Sequence, residues 1–193
     1  MNGWLGLLLL VLSGFTQAED ALTQIRARLP QTEIIQGRFS QEKQLKFLSK
    51  PLVSQGEFVF WQAHGVLWKT LSPMVSTLLI NNSRLLSSQG EQAIPASFGR
   101  IFPALLGGDW ERLQTDFNVN STLQTEYWQI ELLPKDPLLA KVIARLLISG
   151  NNELRQLDIH EVSGNQSIIR FDDIEHPAQL PPAQLSEFER LSP

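Results

Sequence analysis

Few residues in this chain could do chemistry, and their spacing argues against most of it. The three histidines, His64, His160 and His176, fall in turn or strand-edge contexts. No pair of them has the spacing that would place two imidazoles on one metal ion. All three are therefore expected at the surface. Asp172, Asp173 and Glu175 could offer oxygens to calcium, but on an alternating strand they read as a solvated acidic edge. Serine hydrolysis would need a serine, a histidine and a carboxylate, often with a Gly-x-Ser-x-Gly elbow, and no such elbow occurs. Cysteine is absent, which excludes a thiol nucleophile, a cysteine metal site, a disulfide framework and a lipid-modified cysteine anchor. No catalytic residue, metal ligand or cofactor site is assigned, and a hydrolase is the weakest of the function classes considered.

Charge and targeting narrow the remaining classes. The net charge is −4 with both signs interspersed, and no basic block marks a nucleic-acid partner. No Lys/Arg-rich amphipathic helix suggests tight binding to an anionic membrane. The first eighteen residues read as a cleaved secretory signal peptide. Trp4–Leu12 is the apolar core, Ser13-Gly14 breaks it, and Thr16-Gln17-Ala18 resembles a cleavage site. The apolar run is well short of the roughly 20 residues that a spanning helix needs. Residues 19–193 are then expected to form one domain, exported without disulfides to the periplasm of a Gram-negative bacterium.

The elements that dominate this domain are strands. Ile34–Lys43, Gly56–Trp61, Val66–Trp68, Leu78–Ile80, Arg84–Ser88, Asn118–Leu123, Glu126–Leu133, Arg145–Ile148, Leu154–Val162 and Ser167–Ile174 are short runs divided by glycine, asparagine and proline turns. This pattern predicts an antiparallel sheet, strongly curved or closed. Alternation places Phe58 and Phe60 on one face, with Trp68, Leu78, Ile80, Trp128, Ile130, Ile169 and Phe171 on apolar faces of their own strands. These nine are the candidate lining of an apolar cavity.

Helices are few. Asp20 can cap Ala21–Leu29, whose Leu22, Ile25 and Leu29 share a face. Ala96–Leu106 has helical spacing at Phe98, Ile101, Phe102 and Leu105, with Pro103 shortening it and Gly107-Gly108 ending it. Asp109 can cap a second short helix, Trp110–Gln114. This glycine-jointed apolar pair is the candidate lid. Leu138–Ile143 forms one helical turn or two, and a short polar helix follows the prolines of the tail.

Phe39-Ser40-Gln41, Gly56-x-Phe58 followed by Trp68 and Pro73, Trp128-Gln129-Ile130-Glu131-Leu132-x-Pro134-Lys135, and Gly164-Asn165 leading to Ile169-Arg170-Phe171 together resemble the outer-membrane lipoprotein carrier family of LolA-like proteins. The resemblance runs from the first helix to Phe171. It implies an α+β, mainly β fold: an unclosed antiparallel β-barrel whose concave apolar face is capped by helices. It implies a monomeric carrier of acylated cargo, loaded by an inner-membrane transporter and unloaded to an outer-membrane acceptor, with no cofactor. Lipoprotein carriers of this kind often place Arg-Pro where this chain has Gln62-Ala63, and that arginine contacts the lid. The departure keeps a glycolipid or polyene-lipid cargo open as the alternative. A purely structural protein is a further class, which would show an exposed rather than an enclosed apolar patch.

Overall fold

The computed structural model describes residues 15–62, 64–81, 84–87, 90–93, 101, 104–107 and 110–190. Eleven strands form one antiparallel sheet. They are β1 (Ile34–Gln44), β2 (Leu52–Trp61), β3 (Gly65–Ser72), β4 (Ser76–Ile80), β5 (Arg84–Ser87), β6 (Gly90–Ala93), β7 (Phe117–Leu123), β8 (Trp128–Pro134), β9 (Ile143–Gly150), β10 (Leu154–Glu161) and β11 (Gln166–Glu175). Their order is β6-β5-β4-β3-β2-β1-β11-β10-β9-β8-β7. Two sequential meanders therefore meet at a central seam, where β1 pairs with β11 from Gln36↔Glu175 to Gln44↔Gln166. β6 and β7 are the two edges and do not pair with each other, so the barrel is unclosed, as expected.

Alternation sorts the side chains into two clusters. On the concave face Phe39, Phe58, Phe60, Val66, Trp68, Trp128, Ile130, Leu146, Ile148, Leu157, Ile169 and Phe171 form one continuous core. On the convex face Val59, Leu67 and Leu79 are direct neighbours across β2, β3 and β4. They build a second, smaller cluster with Ile34 and Phe188.

Among the described residues, α1 (Phe15–Arg28), α2 (Trp110–Asp116) and α3 (Pro182–Glu189) attach to this sheet, with further helical residues at 101 and 104–107. Leu22 and Ile25 of α1 enter the concave core. The Arg28 guanidinium donates to the carbonyls of Gln124 and Thr125, both at 3.0 Å, and so pins the end of α1 to the β7–β8 turn. Asp20 lies inside this helix rather than at its cap, because nothing between Phe15 and Asp20 breaks a helix. The predicted cleavage point also falls within α1. Leu139–Lys141 is one 3-10 turn, opened by the Asp136 carboxylate accepting from Leu138 N–H at 2.7 Å.

The tail helix is not merely polar. Phe188 of α3 is fully buried on the convex face and meets Trp61 edge-on at 5.6 Å, while Lys69 pairs with Glu187 at 2.6 Å. One aromatic residue per short helix gives no period to read, which is why the sequence shows only its polar positions. Phe188→Ala should cost about 3–5 kcal/mol of stability. Thermal unfolding measures this, and retention of an acyl probe should be unchanged because the concave core is untouched.

Candidate functional site: the concave apolar face

The concave face is organised by rings lying over glycines on the adjacent strand. β1 and β2 each carry Gly-x-Phe, Gly37-Arg38-Phe39 and Gly56-Glu57-Phe58. The register places Gly37 opposite Phe58 and Phe39 opposite Gly56. A Cβ on Gly37 would stand 3.0 Å from the Phe58 ring, and one on Gly56 would stand 2.7 Å from the Phe39 ring. The same device recurs in β8 and β9, where Trp128 faces Gly150 and a Cβ would meet the indole at 2.6 Å. An aromatic ring over a cross-strand glycine recovers the packing that the glycine lacks.

With Gly56 bare, Phe39 leans across β2 and stacks on Trp68 at 3.8 Å. Phe171 then meets Phe58 at 5.3 Å and Trp68 at 6.3 Å, both edge-on. Four strands thus share one aromatic cluster astride the seam. The Trp128 indole N–H donates to the Asn151 carbonyl at 2.5 Å, which satisfies the one polar atom of this otherwise apolar side chain.

All nine candidate lining residues sit in the sheet. Phe58, Phe60, Trp68, Ile80, Trp128, Ile130, Ile169 and Phe171 are buried, and Leu78 is half-buried against the same cluster. Phe39 belongs with them. Its signal was the repeated Gly-x-Phe, which fixes the register only when the two strands are aligned.

Of the candidate lid, Ile101 and Leu105 are buried against this face with Ala104 and Leu106, while Phe98 and Phe102 lie outside the described residues, as does Asp109. Gly107 marks the closest approach: a Cβ there would stand 2.9 Å from the Phe60 ring. The side chains of this helical segment occupy the mouth of the concave face. The apolar pocket between Leu29, Ile35, Leu105, Leu106, Leu154 and Ile174 has a volume of only about 30 Å³. That is about one water molecule's share of the liquid. Gln62 is exposed at the β2–β3 turn, where its backbone N–H donates to the Glu33 carbonyl at 2.7 Å; Ala63 lies outside the described residues. Phe60 meets the helical segment at Gly107.

One histidine lies at the surface as expected, and the other two do not. His64 is exposed and stacks on Trp61 at 3.4 Å. His160 is half-buried, and its Nε2 has no hydrogen-bond partner among the described residues. His176 is half-buried between Thr32 at 3.0 Å and Glu153 at 3.2 Å, closing the polar side of the small pocket. Those contacts join residues far apart in sequence, so no local pattern announces them. Asp173 is paired with Arg38, and Gln36 donates to Glu175 at 2.8 Å. Among the described residues no three histidine, aspartate or glutamate side chains converge on a metal position.

The site is thus an unclosed sheet whose aromatic concave face packs against the helical residues 101 and 104–107. The family model described as "Outer membrane lipoprotein carrier protein LolA" matches residues 30–186, and the chain belongs to that family. Its members are periplasmic carriers rather than enzymes. No curated protein matches the chain in sequence. Among solved structures, a LolA-superfamily protein from Nitrosomonas europaea is 12% identical, with a TM-score of 0.47 over 86% of this chain and 96% of that one. A putative outer-membrane lipoprotein-sorting domain from Vibrio parahaemolyticus is 9% identical, with a TM-score of 0.48 over 88% and 97%. The MucA/MucB complex of Pseudomonas aeruginosa is 13% identical, with a TM-score of 0.48 over 88% and 60%.

Proposed function

We propose that the protein is a periplasmic carrier that shelters the acyl chains of a lipoprotein against the concave face, beneath the helical segment 101–107, and moves them from the inner to the outer membrane. The observation that carries this reading is the pairing of a continuous aromatic face with a separate segment that fills its mouth. The described pocket beside Leu105 and Leu106, of about 30 Å³, is too small for an acyl chain, and in this reading loading moves the segment aside. Exposing its buried Ile101, Leu105 and Leu106 costs roughly 5–9 kcal/mol, taking each at its usual burial value. Each acyl methylene that takes their place returns about 0.8 kcal/mol. Burial of about six to eleven acyl methylenes therefore offsets the cost of moving the segment.

In the experiment, the purified protein is titrated with a fluorescent fatty acid, and the lipid that copurifies from the native host is identified by mass spectrometry. Stoichiometric uptake is expected. Absence of binding to any acylated ligand would sink the proposal. Gln62 favours a second reading, a glycolipid or polyene-lipid cargo, because it stands exposed where many lipoprotein carriers use arginine to hold the lid. A copurified lipid without a peptide would select that reading.

A further inference from the structure

Of the eleven large apolar side chains exposed among the described residues, nine lie at one end of the barrel. This end is formed by the β1–β2, β3–β4, β8–β9 and β10–β11 loops and the strand ends that enter them. Phe47 is 79% exposed, Met74 78% and Val75 81%, and Leu138, Val142 and Val162 are also open to solvent.

These loops form a single rim. Lys46 N–H donates to the Asn165 side chain at 3.1 Å, and Val162 N–H donates to the Val142 carbonyl at 2.9 Å. Gln55 opposite Ser72 brings the β3–β4 loop beside the β1–β2 loop. The same four loops carry Lys46, Lys50, Lys135 and Lys141 against one acid, Asp136. The Asp136 carboxylate accepts the backbone N–H groups of Leu138 and Leu139. At the opposite end Glu33, Glu126 and Glu153 are set among arginines: Arg28 donates to the β7–β8 turn and Arg155 pairs with Glu153. The rim is thus cationic in a chain of net charge −4.

A fringe of apolar side chains set among lysines matches the interface of an anionic bilayer: the apolar groups enter the headgroup boundary and the lysines meet the phosphates. From this complementarity we infer that the rim docks the protein peripherally on an anionic lipid surface. Among the described residues no helix is long and apolar enough to cross a membrane. This inference does not rest on the carrier reading, since the rim is distinct from the concave face.

The test is flotation of the full chain with vesicles of phosphatidylethanolamine and phosphatidylglycerol, beside vesicles of phosphatidylcholine alone. Binding is expected on the anionic vesicles, falling as salt rises. Met74→Asp with Val75→Asp should weaken it about tenfold or more. Lys50→Ala with Lys141→Ala should weaken it roughly 25-fold, about fivefold per lysine. Both variants alter exposed side chains and should keep the wild-type melting temperature and fatty-acid uptake. The inference is overturned if neither vesicle floats the protein, or if the variants float as well as wild type, which would trace binding to the cavity. It is likewise overturned if flotation needs vesicles that contain membrane proteins, in which case the rim is a protein-docking surface.

Discussion

Gly56→Ala should destabilise the folded state severely. A Cβ at this position would stand 1.9 Å from the Lys69 backbone carbonyl and 2.7 Å from the Phe39 ring. A ring can rotate away from a new methyl, but a carbonyl in a strand ladder cannot. Relief would require β2 and β3 to separate where Gly56 faces Thr70, and Phe39 to leave its stack on Trp68. Ordinary overpacking costs about 1–3 kcal/mol. Here the lost pairing and the lost stack add to it, so a loss of about 4 kcal/mol or more is expected, against a usual total stability of about 5–15 kcal/mol. For a chain of this size that lowers the melting temperature by about 10 °C or more. Circular dichroism on heating checks it: a variant melting within a few degrees of wild type would contradict the Phe39↔Gly56 register.

Leu105→Asp should give the largest functional effect. Leu105 is buried in the concave core beside Ala104 and Leu106, packed with apolar side chains. Removing a buried leucine costs about 2–5 kcal/mol, and burying an unpaired carboxylate costs several kcal/mol more. The helical segment then stays away from the face, whether that face is empty or loaded. The dissociation rate of a fluorescent fatty acid should rise by about a hundredfold or more, equivalent to about 2.7 kcal/mol. The sheet should keep its circular dichroism spectrum, because the contacts among its strands are untouched. Unchanged retention would show that this segment is not the cover.

The two variants rest on information of different kinds, and this marks how far the sequence could be read. Strand alternation exposed the concave set from Phe58 to Phe171, because each strand carries its own period. Gly-x-Phe in β1 and β2 was visible too, but its meaning as interlocked glycine and ring required the register. The seam between β1 and β11 was not readable from periodicity, since it pairs residues from opposite ends of the domain. His176 with Thr32, and Phe188 against Trp61, were hidden for the same reason. The apolar rim escaped notice because its members are scattered one or two per loop. No basic amphipathic helix announces it, because this surface is assembled from four separate turns.

The β1–β11 seam has a kinetic consequence. Each meander is built from strands adjacent in the chain, so each can zip locally as synthesis proceeds. The seam closes a loop that runs from Gln44 to Gln166 and cannot form until nearly the whole domain exists. Until then β1, one of the longest strands, has an open outer edge, able to template pairing with another chain. The last long-range ladder to form is also the one that completes the aromatic cluster, because Phe171 arrives with β11. Assembly of the binding face is thereby coupled to burial of the most hazardous edge, and a half-made molecule presents neither a finished cradle nor a safe surface.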